Sequence, residues 1–161
     1  MSSHSFNLMN LLKLAIAAFS ATNTMTTFSY LLSATYKKLF REPVMMDFIL
    51  KGLGIELKGK WHKIGGWIAH YIIGFTLVLV YESLWRYTAI RFGFLSGIIF
   101  GVVSGIVGIM CWRAIYLTSI HEDVSRRSYY IQLFFGHIIF ACAVVIAFKI
   151  FHYNPVGKIM G

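Results

Sequence analysis

Two histidines, His70 and His137, are the residues of this chain with the clearest potential for chemistry. Each lies inside a long apolar stretch, where ionisable side chains are candidate functional sites by default. Two imidazoles on facing helices can serve as the axial ligands of a haem b iron. Two other interpretations remain open: hydrogen bonds across helices to Asn23, Thr27 or a tyrosine, and a place in a proton or substrate pathway.

Asn23 and Arg113 are two further polar residues within apolar stretches. The amide of Asn23 cannot satisfy all its hydrogen bonds within its own helix, so we expect it to face other helices and find a partner there. Arg113 lies close to the end of the third stretch, and its side chain is expected to extend to a lipid phosphate. A pair with Glu122 or Asp123 and contact with an anionic headgroup are the alternatives.

The remaining ionisable residues do not form a catalytic or metal-binding set. Glu82 has Arg86 four residues later, which is the favourable order for an ion pair on one helix. His121 is followed by two acidic residues, but no second histidine stands at a metal-binding spacing such as HExxH. No serine or cysteine has a base at a recognisable spacing. The sequence therefore predicts no catalytic residues and no metal site, and it favours a protein that is not an enzyme.

Glycines recur every four residues in the third apolar stretch, at Gly93, Gly97, Gly101 and Gly105. Helices in a membrane gain little from hydrophobic contact with one another, and glycine at this spacing lets two backbones approach closely. These four residues, called the glycine ladder below, are therefore predicted to form a helix-packing surface. The partner of that surface is either the alanine-rich half of the first stretch or a second copy of the chain.

The composition predicts an all-α integral membrane protein. Hydrophobic residues make up 58% of the 161 residues and charged residues only 13%, whereas a soluble domain carries about 25% charged residues. Four apolar windows, at 8–32, 65–85, 92–117 and 129–151, each reach the roughly 20 residues that cross a bilayer as a helix. Because they leave little chain for anything else, residues 1–161 are predicted to form a single transmembrane domain, a four-helix bundle.

The longest connection, residues 37–64, is predicted to contain a short interfacial amphipathic helix between the first two spans. Glu42-Pro43 is a typical helix start, and Gly52 and Gly54 mark its end. The apolar residues between these points fall on one helical face, as expected of a helix that lies in the membrane interface: Val44, Met45, Phe48, Ile49 and Leu53.

The distribution of basic residues predicts the topology. Ten of the 15 lysines and arginines lie on the side of the two longer loops, and the other five lie opposite, at Lys13, Arg86, Arg91, Lys149 and Lys158. Basic loops stay in the cytoplasm, so loops 37–64 and 118–128 are predicted to be cytoplasmic and both termini outside. The net charge is +9, and the predicted partner of the basic residues is the lipid bilayer with its anionic headgroups. Nucleic acid is not predicted as a partner, because no aromatic-basic stripe accompanies the charge.

Three short motifs in the first half of the chain carry a family resemblance: Ala21-Thr22-Asn23-Thr24-Met25-Thr26, Arg41-Glu42-Pro43, and Gly66-Trp67 through His70 to Tyr81. Together they resemble the pattern in YagU-like and related small bacterial inner-membrane proteins. The resemblance covers the chain up to the end of the second span. It implies a four-helix bundle in the inner (cytoplasmic) membrane of a bacterium, and it implies no particular chemistry.

Three functions follow from these features as expectations. The first is a helical bundle that acts by association, as a homo-oligomer or as a subunit with another membrane protein, because the glycine ladder is its sharpest motif. The second is a small transporter or channel with a polar pathway along Asn23, Thr27, His70 and His137. The third is a redox subunit that holds haem b between His70 and His137, although no cofactor is expected from the sequence as a whole.

Overall fold

The computed structural model describes residues 8–37, 43, 44, 46, 50, 53–55, 60–119 and 126–152. Within these ranges the chain forms four long α-helices and no strand: α1 (Leu8–Tyr36), α2 (Lys60–Tyr87), α3 (Phe94–Ser119) and α4 (Arg126–Ile150). Every helix end lies within five residues of the corresponding end of a predicted apolar window. The all-helical class and the number of long helices are therefore confirmed.

Three of these helices are long and apolar enough to cross a membrane. The qualifying segments are Ile64–Tyr87, Phe94–Ala114 and Arg127–Ile150. Helix α1 is 29 residues long, but the hydroxyl and amide side chains in its second half lower its hydropathy, and it does not qualify among the described helices. The structure thus supports a multi-pass membrane protein with three candidate spans.

The outward faces of the helices are strongly apolar. Leu95 and Met110 on α3 and Ile72 on α2 are among many large hydrophobic side chains that point away from the rest of the protein. Soluble monomers rarely expose contiguous apolar patches larger than a few hundred Å². Helices that satisfy their own backbone hydrogen bonds and present apolar side chains outward are the form that a bilayer accepts.

Helix α4 is the central helix of the bundle. The closest helix pairs are α3 with α4, α1 with α4, and α1 with α2. Helices α2 and α3 are instead bridged by large side chains: Trp85 Nε1 donates to Ser96 Oγ at 2.9 Å, and the hydroxyls of Tyr81 and Ser104 lie 2.6 Å apart. The α2–α3 seam is therefore wider than the other helix contacts.

The glycine ladder packs inside the chain against α4. A Cβ added to Gly101 would lie 2.7 Å from Ile138 Cα and 2.9 Å from the carbonyl oxygen of His137, and one added to Gly105 would lie 3.2 Å from the carbonyl oxygen of Phe134. A Cβ on Gly97 would lie 2.7 Å from Val145 Cγ2, whereas one on Gly93 would meet nothing within 4 Å. Of the two partners expected, α1 is therefore wrong for these three glycines, because α4 occupies their face.

Aromatic side chains close the bundle at the end where α2 is followed by α3. Trp85 lies at the centre of this aromatic cluster, with ring centroids 5.0 Å from Phe92, 5.1 Å from Phe100 and 6.0 Å from Phe148. The Glu82–Arg86 pair predicted from the sequence lies beside it, with Arg86 Nε donating to Glu82 Oε1 at 2.5 Å. The ion pair therefore forms within one helix, as the spacing of four residues predicts.

Part of the predicted interfacial helix lies outside the described residues. The described residues at its end have the geometry of a helix terminus: Ile55 N donates to Leu50 O at 2.9 Å and Gly54 has a φ of +78°. A six-to-one hydrogen bond with glycine in the left-handed conformation is the Schellman motif. Pro43 at the other end is fully buried. His121, Glu122 and Asp123 also lie outside the described residues.

Candidate functional site

A crevice of about 650 Å³ follows the wide seam between α2 and α3. Helices α2 and α3 form its walls, α1 and α4 contribute its remaining lining, and Met46 from the first connection also lines it. On α2 the lining extends from His70 to Leu84, which corresponds to about 20 Å at the α-helical rise per residue. The crevice is therefore long and narrow, and it runs parallel to the helices.

The crevice opens sideways, through the apolar outer surface of the bundle. Lining residues Ile73 and Val80 on α2, and Ile99, Val103 and Val107 on α3, are also among the exposed large hydrophobics. In a membrane this surface would meet acyl chains. A molecule that reaches the crevice through this opening would therefore come from the bilayer.

The two histidines predicted from the sequence both line this crevice. His70 Nε2 shares a hydrogen bond of 3.0 Å with the hydroxyl of Thr26 on α1. His137 Nδ1 lies 2.8 Å from the carbonyl oxygen of Leu133, and this nitrogen must carry the proton because a carbonyl oxygen only accepts.

The other nitrogen of His137 is therefore a hydrogen-bond acceptor in the neutral ring. Among the described residues Nε2 has no hydrogen-bond partner, and the side chain is only 8% exposed. A Cβ added to Gly108 on α3 would lie 3.3 Å from Nε2 and 3.1 Å from Cε1. The absence of a side chain at Gly108 therefore allows the edge of the imidazole to pack against α3.

The remaining predicted site residues lie elsewhere. Asn23 Nδ2 donates to the carbonyl oxygen of Phe19 at 2.8 Å, and Asn23 Oδ1 accepts from the hydroxyl of Tyr71 at 2.9 Å. Thr27 lines a separate, shallow groove together with Asn23. Arg113 is exposed near the end of α3. The structure therefore places His70 and His137 in one crevice and Asn23 and Thr27 in another groove, which Thr26 also lines while it bonds His70.

Two threonines of α1 were not identified as site residues from the sequence. Thr26, and not Thr27, is the partner of His70. Thr22 lines the crevice one helical turn earlier, is 1% exposed, and its Oγ1 has no hydrogen-bond partner within the described part of the chain. The available signal was the spacing of four between the two threonines, which places them on one face with buried Ala18.

The geometry does not fit a haem between the two histidines. A haem iron needs a ring nitrogen from each histidine directed at the metal, whereas His70 Nε2 is hydrogen-bonded to Thr26. The backbone of α3 at Gly108 also lies beside His137 Nε2, where the macrocycle would have to stand. Among the residues that the structure describes, no three His, Cys, Asp or Glu side chains group together as a metal site requires.

Comparison with known proteins identifies no relative. No protein-family model, no curated protein and no solved structure matches this chain. The resemblance to YagU-like proteins therefore stays a prediction.

Thr26 and His70 are expected to be energetically coupled across α1 and α2. In a double-mutant cycle with Thr26→Val and His70→Phe, we expect a coupling of about 0.5–1.5 kcal/mol, as for other polar contacts between membrane helices. Unfolding of the purified protein in mixed micelles measures it. The control cycle uses Thr24→Val, because Thr24 bonds only the carbonyl oxygen of Ser20 in its own helix. Equal couplings in the two cycles would contradict the contact.

Proposed function

We propose that this protein is an integral membrane bundle of four transmembrane helices that binds an amphiphilic molecule taken from the bilayer. The observation that carries the proposal is the crevice between α2 and α3, which combines a lateral apolar opening with buried polar groups. Its volume of about 650 Å³ lies within the range of about 300–1,000 Å³ typical of ligand pockets.

Helix α1 is proposed as the fourth span. Its 29 residues extend about 43 Å, which exceeds the roughly 30 Å of the hydrocarbon core. The polar side chains that lower its hydropathy largely bond its own backbone, as Asn23 does to Phe19 and Thr35 to Leu31, and such bonds make polar residues tolerable in lipid. The helix also contacts both α2 and α4, so it belongs to the same bundle.

The proposed location is the inner (cytoplasmic) membrane of a bacterium, following the resemblance and the charge distribution. Loops 37–64 and 118–128 would face the cytoplasm and both termini the outside. The Schellman geometry at Gly54 supports a short helix that ends there. Its apolar face would lie in the membrane interface, and Met46 from this segment lines the crevice.

A polar acceptor in the crevice favours a bound molecule over an empty gap. A hydrogen-bonding group that is left unsatisfied away from water costs free energy. Within the described residues His137 bonds through Nδ1 and no hydrogen bond reaches Nε2, while the side chain is only 8% exposed. A ligand with a polar head and an apolar chain would satisfy Nε2 and lie against the apolar walls.

Association and transport remain proposals with weaker support. Association rested on the glycine ladder, and three of its four glycines already contact α4 within the chain, so another surface would have to serve. A transport pathway would need polar groups in series, and the groove of Asn23 and Thr27 is linked to the crevice of His137 by the hydrogen bond between Thr26 and His70. The particle mass in detergent tests association, and flux into proteoliposomes tests transport.

Photo-crosslinking tests ligand binding directly. The purified protein is reconstituted with diazirine-bearing palmityl alcohol, irradiated and mapped by mass spectrometry. We expect the crosslinks to concentrate on crevice residues such as Leu77 and Val103. Leu95 and Ile106, which are exposed on α3 but do not line the crevice, are the matched control positions. Equal labelling of both sets would indicate ordinary annular lipid and contradict the proposal.

A further inference from the structure

We propose that the ligand of the crevice is a hydroxyl-bearing amphiphile whose O–H donates a hydrogen bond to His137 Nε2 while its chain lies between α2 and α3. This inference rests on the proposed binding function and specifies the chemistry of the ligand. The shared chemistry has two sources in a membrane, a lipid alcohol and a quinol. The ligand is recognised as an uncharged hydrogen-bond donor in both cases.

The hydrogen bond of His137 to its own helix determines what the ring can recognise. The contact of Nδ1 with the carbonyl oxygen of Leu133, at 2.8 Å, requires the proton on Nδ1. Nε2 of the neutral ring then presents a lone pair and no hydrogen. Such an atom accepts a hydrogen bond from a donor such as a hydroxyl. It forms no hydrogen bond with an ether or with a purely apolar chain, because neither has a donor.

Charge in the crevice argues against an anionic head. The described residues that line it include no lysine, arginine, aspartate or glutamate. A carboxylate or phosphate without a cationic partner would be strongly unfavourable in a site of low dielectric constant. A hydroxyl avoids this cost because it is uncharged.

The space near His137 fits a small head and a long tail. The edge of the imidazole packs against α3 at Gly108, where an added Cβ would lie only 3.1 Å from Cε1, so a head group beside Nε2 has to be small. Beyond this position the lining is mostly apolar, with Leu77 and Leu84 on α2 and Val103 on α3, and the hydroxyls of Tyr81 and Ser104, which also line it, bond each other. From His70 to Tyr81 the crevice extends about 16 Å along α2, which suits an extended chain.

Cys111 provides a reporter at the crevice, and Cys142 provides its control. Both are free thiols, and Cys111 is exposed and lines the crevice. Cys142 lies on α4 and is not part of the lining. In the Cys142→Ala and Cys111→Ala variants of the full chain, the rate of alkylation by N-ethylmaleimide is measured in detergent against the concentration of each probe. Only Cys111 should be protected.

The probes share one chain and differ in the head: palmityl alcohol, its methyl ether and palmitic acid. We expect the alcohol to protect Cys111 with about fivefold higher affinity than the ether, since a net hydrogen bond is worth about 1 kcal/mol. The acid should bind no better than the ether. His137→Phe, which keeps a planar ring but removes the acceptor, should abolish the preference for the alcohol while leaving the binding of the ether.

The outcomes separate this inference from the proposed function. Equal protection by all three probes in the protein with native His137 would overturn the hydroxyl preference and leave lateral ligand binding intact. Protection by none of them, together with uniform crosslinking, would overturn both. A preference that persists in His137→Phe would also overturn the assignment of Nε2. If that variant fails to fold, the comparison of the alcohol with the ether in the protein with native His137 still shows whether the crevice prefers a hydroxyl.

A second series distinguishes the two sources of the hydroxyl. Decylubiquinol is compared with decylubiquinone, which lacks the two donors, and with diolein, a lipid alcohol. Tighter binding of the quinol than of diolein would support a quinol site, and tighter binding of diolein would support a lipid-alcohol site. Binding of quinone and quinol with equal affinity, and no binding of diolein, would contradict a site that selects a donor.

Discussion

Replacing Gly101 with alanine is expected to lower the free energy of unfolding by about 1–3 kcal/mol, the range found for overpacked contacts. The new Cβ would lie 2.7 Å from Ile138 Cα and 2.9 Å from the carbonyl oxygen of His137. Both atoms belong to the backbone of α4, so no side-chain rotation can relieve the contact, and the two helices must separate. Thermal or detergent-induced unfolding followed by circular dichroism measures the loss.

Gly93→Ala is the matched control for this prediction. It lies at the start of the same glycine ladder, but a Cβ there would meet nothing within 4 Å, so we expect a change below about 0.5 kcal/mol. A similar loss in both variants would mean that α3 does not pack on α4 as the structure shows. If the ladder instead mediates self-association, Gly93→Ala should alter the particle mass, which light scattering on the same sample reports.

Trp85→Ala is expected to be the most destabilising single substitution, at about 3 kcal/mol. This value is at the lower end of the range for tryptophan removal from soluble cores, because lipid offers helices an apolar environment when they separate and mainly packing is lost. Trp85 is 0% exposed, donates to Ser96 and contacts Phe92, Phe100 and Phe148. It bridges the α2–α3 seam, so its loss should also change the shape of the crevice.

Two control variants separate the contributions of Trp85 to stability. Trp85→Phe keeps most of the ring contacts but loses the donor to Ser96, whose hydroxyl still donates to Arg91, so the loss should be about 1 kcal/mol. Trp61→Ala, at a position 58% exposed, should cost less than about 0.5 kcal/mol. Equal losses for Trp85→Ala and Trp61→Ala would show that the aromatic cluster does not stabilise the bundle.

A lateral crevice has a consequence for how any ligand would bind. A ligand that enters between α2 and α3 remains partly in the hydrocarbon region, so its effective concentration is its fraction among the membrane lipids and not its concentration in water. Affinity should therefore be measured against the ligand-to-detergent or ligand-to-lipid ratio. The hydrogen bond to His137 would add selectivity, because in this apolar site a donor left without a partner is costly.

Helix number, helix bounds and contacts within a helix followed from the sequence alone. The length of an apolar run decides whether a segment can form a helix of membrane-spanning length, and the ends of α1 to α4 lie close to the predicted windows. Glu82 and Arg86 pair because residues four apart are neighbours on any α-helix. Such features depend on local spacing, which does not change with the arrangement of the other helices.

Which helix each face meets was decided only by the tertiary structure. The glycine ladder has a small-residue surface that several helices could cover, and α4 rather than the alanine-rich α1 covers most of it. His70 bonds Thr26 and not Thr27, because neighbouring residues point about 100° apart on a helix and a small rotation exchanges them. The crevice exists because bulky Tyr81 and Trp85 hold α2 away from α3, and the width of such a seam depends on both helices at once.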